Sequence, residues 1–188
     1  MDSSVRGIFM RRLHKPRHAM RCQTWNYASK GWYFLTMCSV KREPIFGTIS
    51  DGEMHLNALG AIIMDEWERS VALRPHMRFE TIQVMPDHVH MLVYFRYRTV
   101  YVKGSLRGRF GHRLRRSISS FVAQFKATCT RRAQPHHHGT IWQRNYDDQR
   151  PCTPPHVAAI IRYIRNNPRA AQRRLDQRRL LYNRASTA

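Results

Sequence analysis

The run of residues 32–40 (WYFLTMCSV) is apolar on both of its alternating faces. Successive side chains of a strand point to opposite sides of a sheet, so a run of this kind predicts a central strand. Residues 78–85 and 88–95 predict two further strands. Residues 45–56 predict a small hairpin around the turn Ser50-Asp51-Gly52.

Three stretches carry apolar residues at helical spacing. The first follows Asn57, which can cap it, and ends at Pro75; the second covers residues 118–129. The third starts at Pro154-Pro155, and we expect Pro168 to stop it. Because strands come mostly early and helices partly late, the predicted fold class is α+β with an antiparallel sheet and packed helices.

The charge of the chain favours a polyanionic partner. The net charge is +21, and 28 of the 33 cationic residues are arginine. Arginine pairs with phosphate oxygens through two hydrogen bonds and stacks on bases, which favours nucleic acid, although a GC-rich genome would also enrich arginine. The formal net charge of residues 43–87 is −5, so the rest of the chain carries a net charge of +26. We therefore expect one face directed towards the polyanion and one away from it.

Several classes of protein are disfavoured by composition. Hydrophobic residues make up 42 % of the chain, which argues against disorder. No apolar stretch reaches the length of about 18 residues that a membrane-spanning helix needs, and no signal peptide is visible. The four cysteines are far apart, which disfavours zinc ribbons and disulfide frameworks and leads us to expect a reduced, cytoplasmic protein.

Charge and pattern together divide the chain into three parts. Residues 1–30 predict a basic N-terminal arm, residues 31–170 the folded domain, and residues 171–188 a basic C-terminal tail. Residues 97–116 predict a mobile basic loop, because glycines separate closely spaced arginines there.

His88 and His90 lie within the predicted strand 88–95. Residues at positions i and i+2 of a strand share one face, so both imidazoles project together and can bind a divalent metal. Val89 and Met91 take the opposite face and are predicted to be in the core. Considered alone, two histidines at this spacing are more often incidental than metal ligands.

Tyr163 and Asn167 form a second candidate pair, one turn apart on the same side of the third predicted helix. Tyr163 lies about a third of a turn from the centre of the apolar stripe, so it need not be buried. Asn167 precedes Pro168, and we expect its side chain to be free to turn outward. The simpler alternative is a boundary tyrosine followed by a helix-capping asparagine.

The segment Met85-Pro86-Asp87-His88-Val89-His90 resembles the His-hydrophobic-His signature of the single-tyrosine HUH transposases, and specifically of the REP-associated tyrosine transposases of insertion-sequence type. Further blocks continue the resemblance in order, at residues 42–47, 51–60, 125–126, 141–146 and 162–168. Together the blocks span about residues 31–170.

This resemblance implies a ferredoxin-like HUH endonuclease fold and a set of functional residues. His88 and His90 match the metal-binding pair of the family, Tyr163 matches its nucleophile, and Asn167 matches the residue that completes the metal site. The implied reaction is cleavage and joining of single-stranded DNA beside a hairpin, through a tyrosine linked to the 5′ phosphate. The ligand set is compatible with Mg²⁺ or Mn²⁺, and the imidazoles favour Mn²⁺.

Basic residues near these motifs are the candidates for DNA binding. They are Arg107, Arg109, Arg113, Arg115, Arg116, Lys126, Arg162, Arg165, Arg169, Arg173 and Arg174. Two alternatives stay open: a catalytically silent protein of the same fold that only binds hairpin DNA, and an unrelated basic RNA-binding domain. The distance from Tyr163 to His88 and His90 separates these hypotheses. The sequence is compatible with a monomer or a homodimer.

Overall fold

A computed structural model of the protein describes residues 29–96 and 117–186. Most of the predicted N-terminal arm and the whole predicted basic loop lie outside the described residues. Five of the arginines predicted to bind DNA lie outside them too: Arg107, Arg109, Arg113, Arg115 and Arg116.

Within the described residues the chain forms six strands and three helices. The strands are β1 (Gly31–Cys38), β2 (Gly47–Ser50), β3 (Glu53–Leu56), β4 (Met77–Met85), β5 (His88–Phe95) and β6 (Asp147–Gln149). The helices are α1 (Ala58–Leu73), α2 (Ile118–Ala133) and α3 (Pro154–Ser186). The described helices include none that is long and apolar enough to cross a membrane.

The main sheet is antiparallel, with the strand order β4-β5-β1-β6, and β2 and β3 form a separate hairpin. β1 therefore lies inside the sheet, and the prediction of a central strand is confirmed. The predicted α+β class with an antiparallel sheet and packed helices is also confirmed.

Both faces of the sheet are covered. On one face, the buried side chains of Val89, Met91 and Val93 belong to a core that also contains residues of α1 and α2. On the other face, Phe34 of β1 and Leu92 of β5 pack against Ile160 and Ile164 of α3. Helix α3 thus lies on the face of β5 that carries the two histidines.

The turn residues of the β2–β3 hairpin and the capping residue of α1 have the roles predicted from the sequence. Asp51 and Gly52 have φ angles of 54° and 76°, the left-handed values that a tight two-residue hairpin turn requires. The Asn57 side chain accepts a hydrogen bond from the Gly60 N–H at 3.1 Å and so caps α1. These predictions are confirmed.

The prediction that Pro168 stops the third helix is wrong, because α3 continues through Pro168 to Ser186. Proline removes one helix hydrogen bond, but the residues that follow are mainly arginine, alanine, glutamine and leucine, which favour helix. A tertiary contact also holds the segment after the proline: a Cβ atom at Gly52 would lie 3.1 Å from Arg169 Cγ. The predicted boundary between residues 170 and 171 falls inside this continuous helix.

Candidate active site

The two histidines of β5 converge on one point. The Nε2 atoms of His88 and His90 lie 3.1 Å apart, and their ring centroids are separated by 4.6 Å. Alternation along the strand places both rings on the sheet face under α3. The two Nε2 atoms are therefore close enough to contact the same bound atom.

Each ring is held through its other nitrogen. The Asp87 carboxylate lies 2.5 Å from His88 Nδ1, and Thr36 Oγ1 lies 2.9 Å from His90 Nδ1. Thr36 is opposite His90 in the pairing of β1 with β5, which explains this contact. Histidines that bind metals are commonly oriented in this way, because a partner at one nitrogen leaves the other directed at the ion.

The surroundings of His90 favour its neutral form. Its residue is only 5 % exposed. Burial lowers the pKa of His90 well below its ordinary value, and electrostatic interactions with His88 and Arg42 lower it further, against the opposing effect of Asp87. A neutral imidazole has the unshared electron pair that a metal ligand needs.

Helix α3 places Tyr163 beside the histidines. The Tyr163 ring centroid is 5.4 Å from that of His90 and 6.1 Å from that of Phe34. The side chain lies at the edge of the buried face, where the residue is 38 % exposed. Burial raises the pKa of Tyr163, while the neighbouring amide of Asn167 and the charges of Arg174 and Arg42 oppose that rise. The hydroxyl therefore keeps its proton at neutral pH and remains within reach of a substrate.

Asn167 does not turn outward, so that expectation is corrected. The residue is 4 % exposed, because the helix continues beyond it and holds it on the side of Tyr163. Its side-chain amide lies against the Tyr163 hydroxyl, and the hydrogen bond between them opposes the rise in the Tyr163 pKa.

The arrangement of these residues fits a divalent metal ion. Nitrogen ligands bind ions such as zinc at about 2.0–2.1 Å, so two of them on one ion must lie within about 4.2 Å of each other. The Nε2 separation of 3.1 Å meets this limit. Among the described residues, no group of three or more His, Cys, Asp or Glu side chains is placed to hold a metal. The histidines would therefore need an amide, substrate or water oxygen to complete the site.

Sequence reasoning missed the residues that orient the histidines. Arg42 Nε lies 2.9 Å from Asp87 Oδ2 and reaches it from a short 3₁₀ turn at Val40–Arg42. Lys41 and Arg42 have φ angles of 52° and 61°, which are uncommon for residues with side chains. The polar residues Thr36 and Ser39 within the apolar run 32–40 are the signals in the sequence that pointed to hydrogen-bonding roles.

The arginines of α3 that were predicted to bind DNA are all exposed. At about 100° per residue, four of them lie within roughly 80° of the helix circumference, on the side away from the main sheet, and one of these, Arg169, also contacts the hairpin turn at Gly52. We call these four the arginine stripe: Arg162, Arg165, Arg169 and Arg173. Arg174 lies nearer to Tyr163 around the helix, in agreement with the effect of its charge on that hydroxyl.

Lys126 has a different environment from the other candidates. Its Nζ atom donates hydrogen bonds to the backbone oxygens of Gln143 and Asn145 at 2.9 and 2.8 Å, and lies 5.8 Å from the Trp142 ring centroid. Burial lowers its pKa to about 8. The ammonium group of Lys126 thus holds the segment before β6, and its contact with DNA stays a prediction.

The chain matches a protein of Haemophilus influenzae described as "Uncharacterized protein". The two are 31 % identical over 161 residues, which cover 81 % of this chain and 88 % of the relative. The chain belongs to the family of that protein. No protein-family model matches the chain.

A solved structure shares the fold. The structure of a REP-associated tyrosine transposase bound to a REP hairpin superposes with a TM-score of 0.55 at 16 % identity, over 80 % of this chain and 74 % of that chain. At this identity the likeness establishes the fold alone. The ferredoxin-like HUH fold implied by the sequence motifs is thereby confirmed.

We predict that Thr36→Val lowers the free energy of unfolding by about 1–3 kcal/mol, because it leaves Nδ1 of the buried His90 without its partner. Thr36→Ser keeps the hydroxyl group and should lose less than about 1 kcal/mol, the value of one methyl group. Urea unfolding of both variants measures the difference. Equal losses in the two variants would show that the hydrogen bond contributes nothing.

Proposed function

We propose that the protein is a metal-dependent endonuclease and strand transferase that cleaves and joins single-stranded DNA beside hairpins, with Tyr163 as the nucleophile. The observation that carries the proposal is the meeting of three side chains from two elements. His88 and His90 of β5 face each other, and the Tyr163 ring of α3 lies 5.4 Å from His90 at an accessible edge. An isolated basic RNA-binding domain would have no reason to bring these groups together.

The proposed reaction exchanges one phosphodiester bond for another. The Tyr163 oxygen attacks the scissile phosphorus, and the bond from phosphorus to the 3′ oxygen breaks. The tyrosine loses its proton to solvent, the departing 3′ oxygen takes one up, and the 5′ phosphate remains on the tyrosine. Attack by another 3′ hydroxyl reverses these steps, so joining needs no nucleotide cofactor.

The residues of the site have distinct tasks in this reaction. His88, His90 and Asn167 would hold a Mg²⁺ or Mn²⁺ ion, which supplies a positive charge for the non-bridging phosphate oxygens. Phe34 and His90 fix the Tyr163 ring by edge contacts. The charges of Arg42 and Arg174 favour the tyrosinate that develops during attack.

The proposed substrate is a polyanion held by the arginine stripe. These side chains are exposed on the same helix that carries the nucleophile. The hairpin bound to the REP-associated tyrosine transposase supports a hairpin as the DNA form. The second hypothesis, a protein of this fold that binds hairpins without cleaving them, has the same binding surface and differs in chemistry.

Incubation with a labelled hairpin oligonucleotide and Mn²⁺ should yield a covalent DNA–protein adduct that Tyr163→Phe abolishes. The change removes the attacking oxygen and keeps the ring contacts with Phe34 and His90. Denaturing gel electrophoresis detects the adduct. Tyr94→Phe is the matched control, because Tyr94 is half-buried in β5 against Trp32 and should not affect the adduct.

An adduct that persists in the Tyr163→Phe variant would place the nucleophile elsewhere. Tight hairpin binding by the wild type with no adduct would favour the silent binding protein.

We expect His88→Ala or His90→Ala to reduce cleavage on the order of 100-fold or more while hairpin affinity stays close to that of the wild type. The reason is that charge stabilisation at the phosphate depends on the ion, whereas binding depends on arginine contacts. Gel-based cleavage and fluorescence anisotropy measure the two effects. EDTA should act like these variants, and added Mn²⁺ should restore cleavage.

His55→Ala is the control for the histidine variants, since His55 is exposed on β3. Full cleavage by the wild type in EDTA would contradict the metal requirement.

Replacing Arg162, Arg165 and Arg173 by Gln should reduce the salt dependence of hairpin binding. Each phosphate contact on a single strand contributes about −0.7 to the slope of log K against log salt, so the slope should flatten by about two units. Anisotropy titrations between low and moderate salt measure it. A charge-matched variant changes Arg78, Arg96 and Arg131, which are exposed and lie outside α3, and should keep the slope. Equal flattening in both variants would show that only net charge matters.

A further inference from the structure

We propose that Arg42 and Asp87 form a positioning relay that fixes the tautomer of His88 and so directs its Nε2 lone pair towards the metal. The metal part of this inference rests on the proposed function, whereas the tautomer part does not. The relay consists of three groups, the Arg42 guanidinium, the Asp87 carboxylate and the His88 imidazole, which are joined by two successive contacts.

Both carboxylate oxygens of Asp87 are used. One lies 2.5 Å from His88 Nδ1 and the other lies 2.9 Å from Arg42 Nε. The Asp87 main chain is also held, because its carbonyl accepts hydrogen bonds from the N–H and the hydroxyl of Ser39 at 2.9 and 3.0 Å. The carboxylate therefore has a defined position relative to the imidazole.

Arg42 is held in an unusual backbone conformation. Lys41 and Arg42 are consecutive left-handed residues, closed by hydrogen bonds from Arg42 N–H to Ser39 O at 3.2 Å and from Glu43 N–H to Val40 O at 3.1 Å. A second guanidinium nitrogen donates to Cys38 Sγ at 2.8 Å, and Cys38 pairs with His88 across the sheet. Strained backbone persists where the surrounding contacts require it, and here those contacts aim the arginine at Asp87.

The hydrogen-bond partners of the two histidines constrain the ring tautomers to different degrees. A hydroxyl group donates or accepts, so Thr36 is compatible with either tautomer of His90. An ionised carboxylate only accepts, so Asp87 requires a proton on His88 Nδ1 and leaves the lone pair of the neutral ring on Nε2. Asp87 is therefore the group that determines the direction of the His88 lone pair, and Arg42 keeps Asp87 in place.

The first measurement needs no metal. Ring ¹⁵N chemical shifts of His88 in the metal-free full-length protein report its tautomer at a pH where the ring is neutral, with His88→Gln used to assign the signals. We expect the Nδ1–H form in the wild type and a mixture of tautomers in Asp87→Ala. Arg42→Gln should give an intermediate mixture. Arg132→Gln is the control and should have no effect on the tautomer. It removes an ion pair of the same 2.9 Å length, between Arg132 on α2 and Asp65 on α1.

The second measurement is a Mn²⁺ titration of the protein followed by electron paramagnetic resonance. Loss of a hydrogen-bonding partner of a ligand typically weakens metal binding 10- to 100-fold. Asp87→Ala should therefore weaken Mn²⁺ binding about 10- to 100-fold, and Arg42→Gln should weaken it less than about 10-fold. The double variant should bind like Asp87→Ala, because Arg42 acts through Asp87. Additive losses would overturn the relay, since they would mean that Arg42 acts independently of the carboxylate.

The two measurements separate failure of the relay from failure of the proposed function. An unchanged His88 tautomer in Asp87→Ala overturns the relay whatever the metal does. A wild type that binds no Mn²⁺ but shows the expected tautomer change upholds the relay and contradicts the metal site. Weaker hairpin binding by Arg42→Gln with no tautomer change would assign Arg42 to phosphate contact and would also overturn the relay.

Discussion

The packing of α3 on the sheet is the contact on which the candidate site depends. Ile160 and Ile164 are fully buried against Phe34 and Leu92, and this contact fixes both the position of the helix along the sheet and its rotation. Tyr163 lies beside Ile164 in the chain, so the rotation that buries the isoleucines also sets the tyrosine next to His90. Burial of two such side chains contributes several kcal/mol, far more than any polar contact of the site.

The parts of the site that follow local geometry were predictable from the sequence. The i, i+2 spacing of His88 and His90 on a strand and the i, i+4 spacing of Tyr163 and Asn167 on a helix each fix a shared side of one element. The sequence motifs then supplied the expectation that the two elements meet. Periodicity alone left open which sides face each other, because that depends on the packing of α3.

The sequence predictions that were wrong concern positions where local conformational preference and tertiary contacts oppose each other. Pro168 disfavours helix locally, but contacts such as the one between Arg169 and the turn at Gly52 favour its continuation. The expectation that Asn167 turns outward assumed that the helix ends at Pro168. Because the helix continues, the direction of the Asn167 side chain is set by its position within the helix. The contacts of Asp87 with His88 and Arg42 were likewise not visible, because Arg42 is distant from Asp87 in the chain.

The unequal exposure of the site residues fits the roles proposed for them, with His90 as a metal ligand and Tyr163 as the nucleophile. A metal ligand gains from burial, because desolvation keeps His90 neutral and removes competing water. A nucleophile that attacks a polymer has to remain reachable, and Tyr163 keeps 38 % exposure at the edge of the same helix face. Residues one turn apart on α3 thus span the boundary between a dry interior and an arginine-rich surface. In the proposed reaction, a phosphate bound by the surface arginines would contact, at this boundary, an ion bound by the buried histidines.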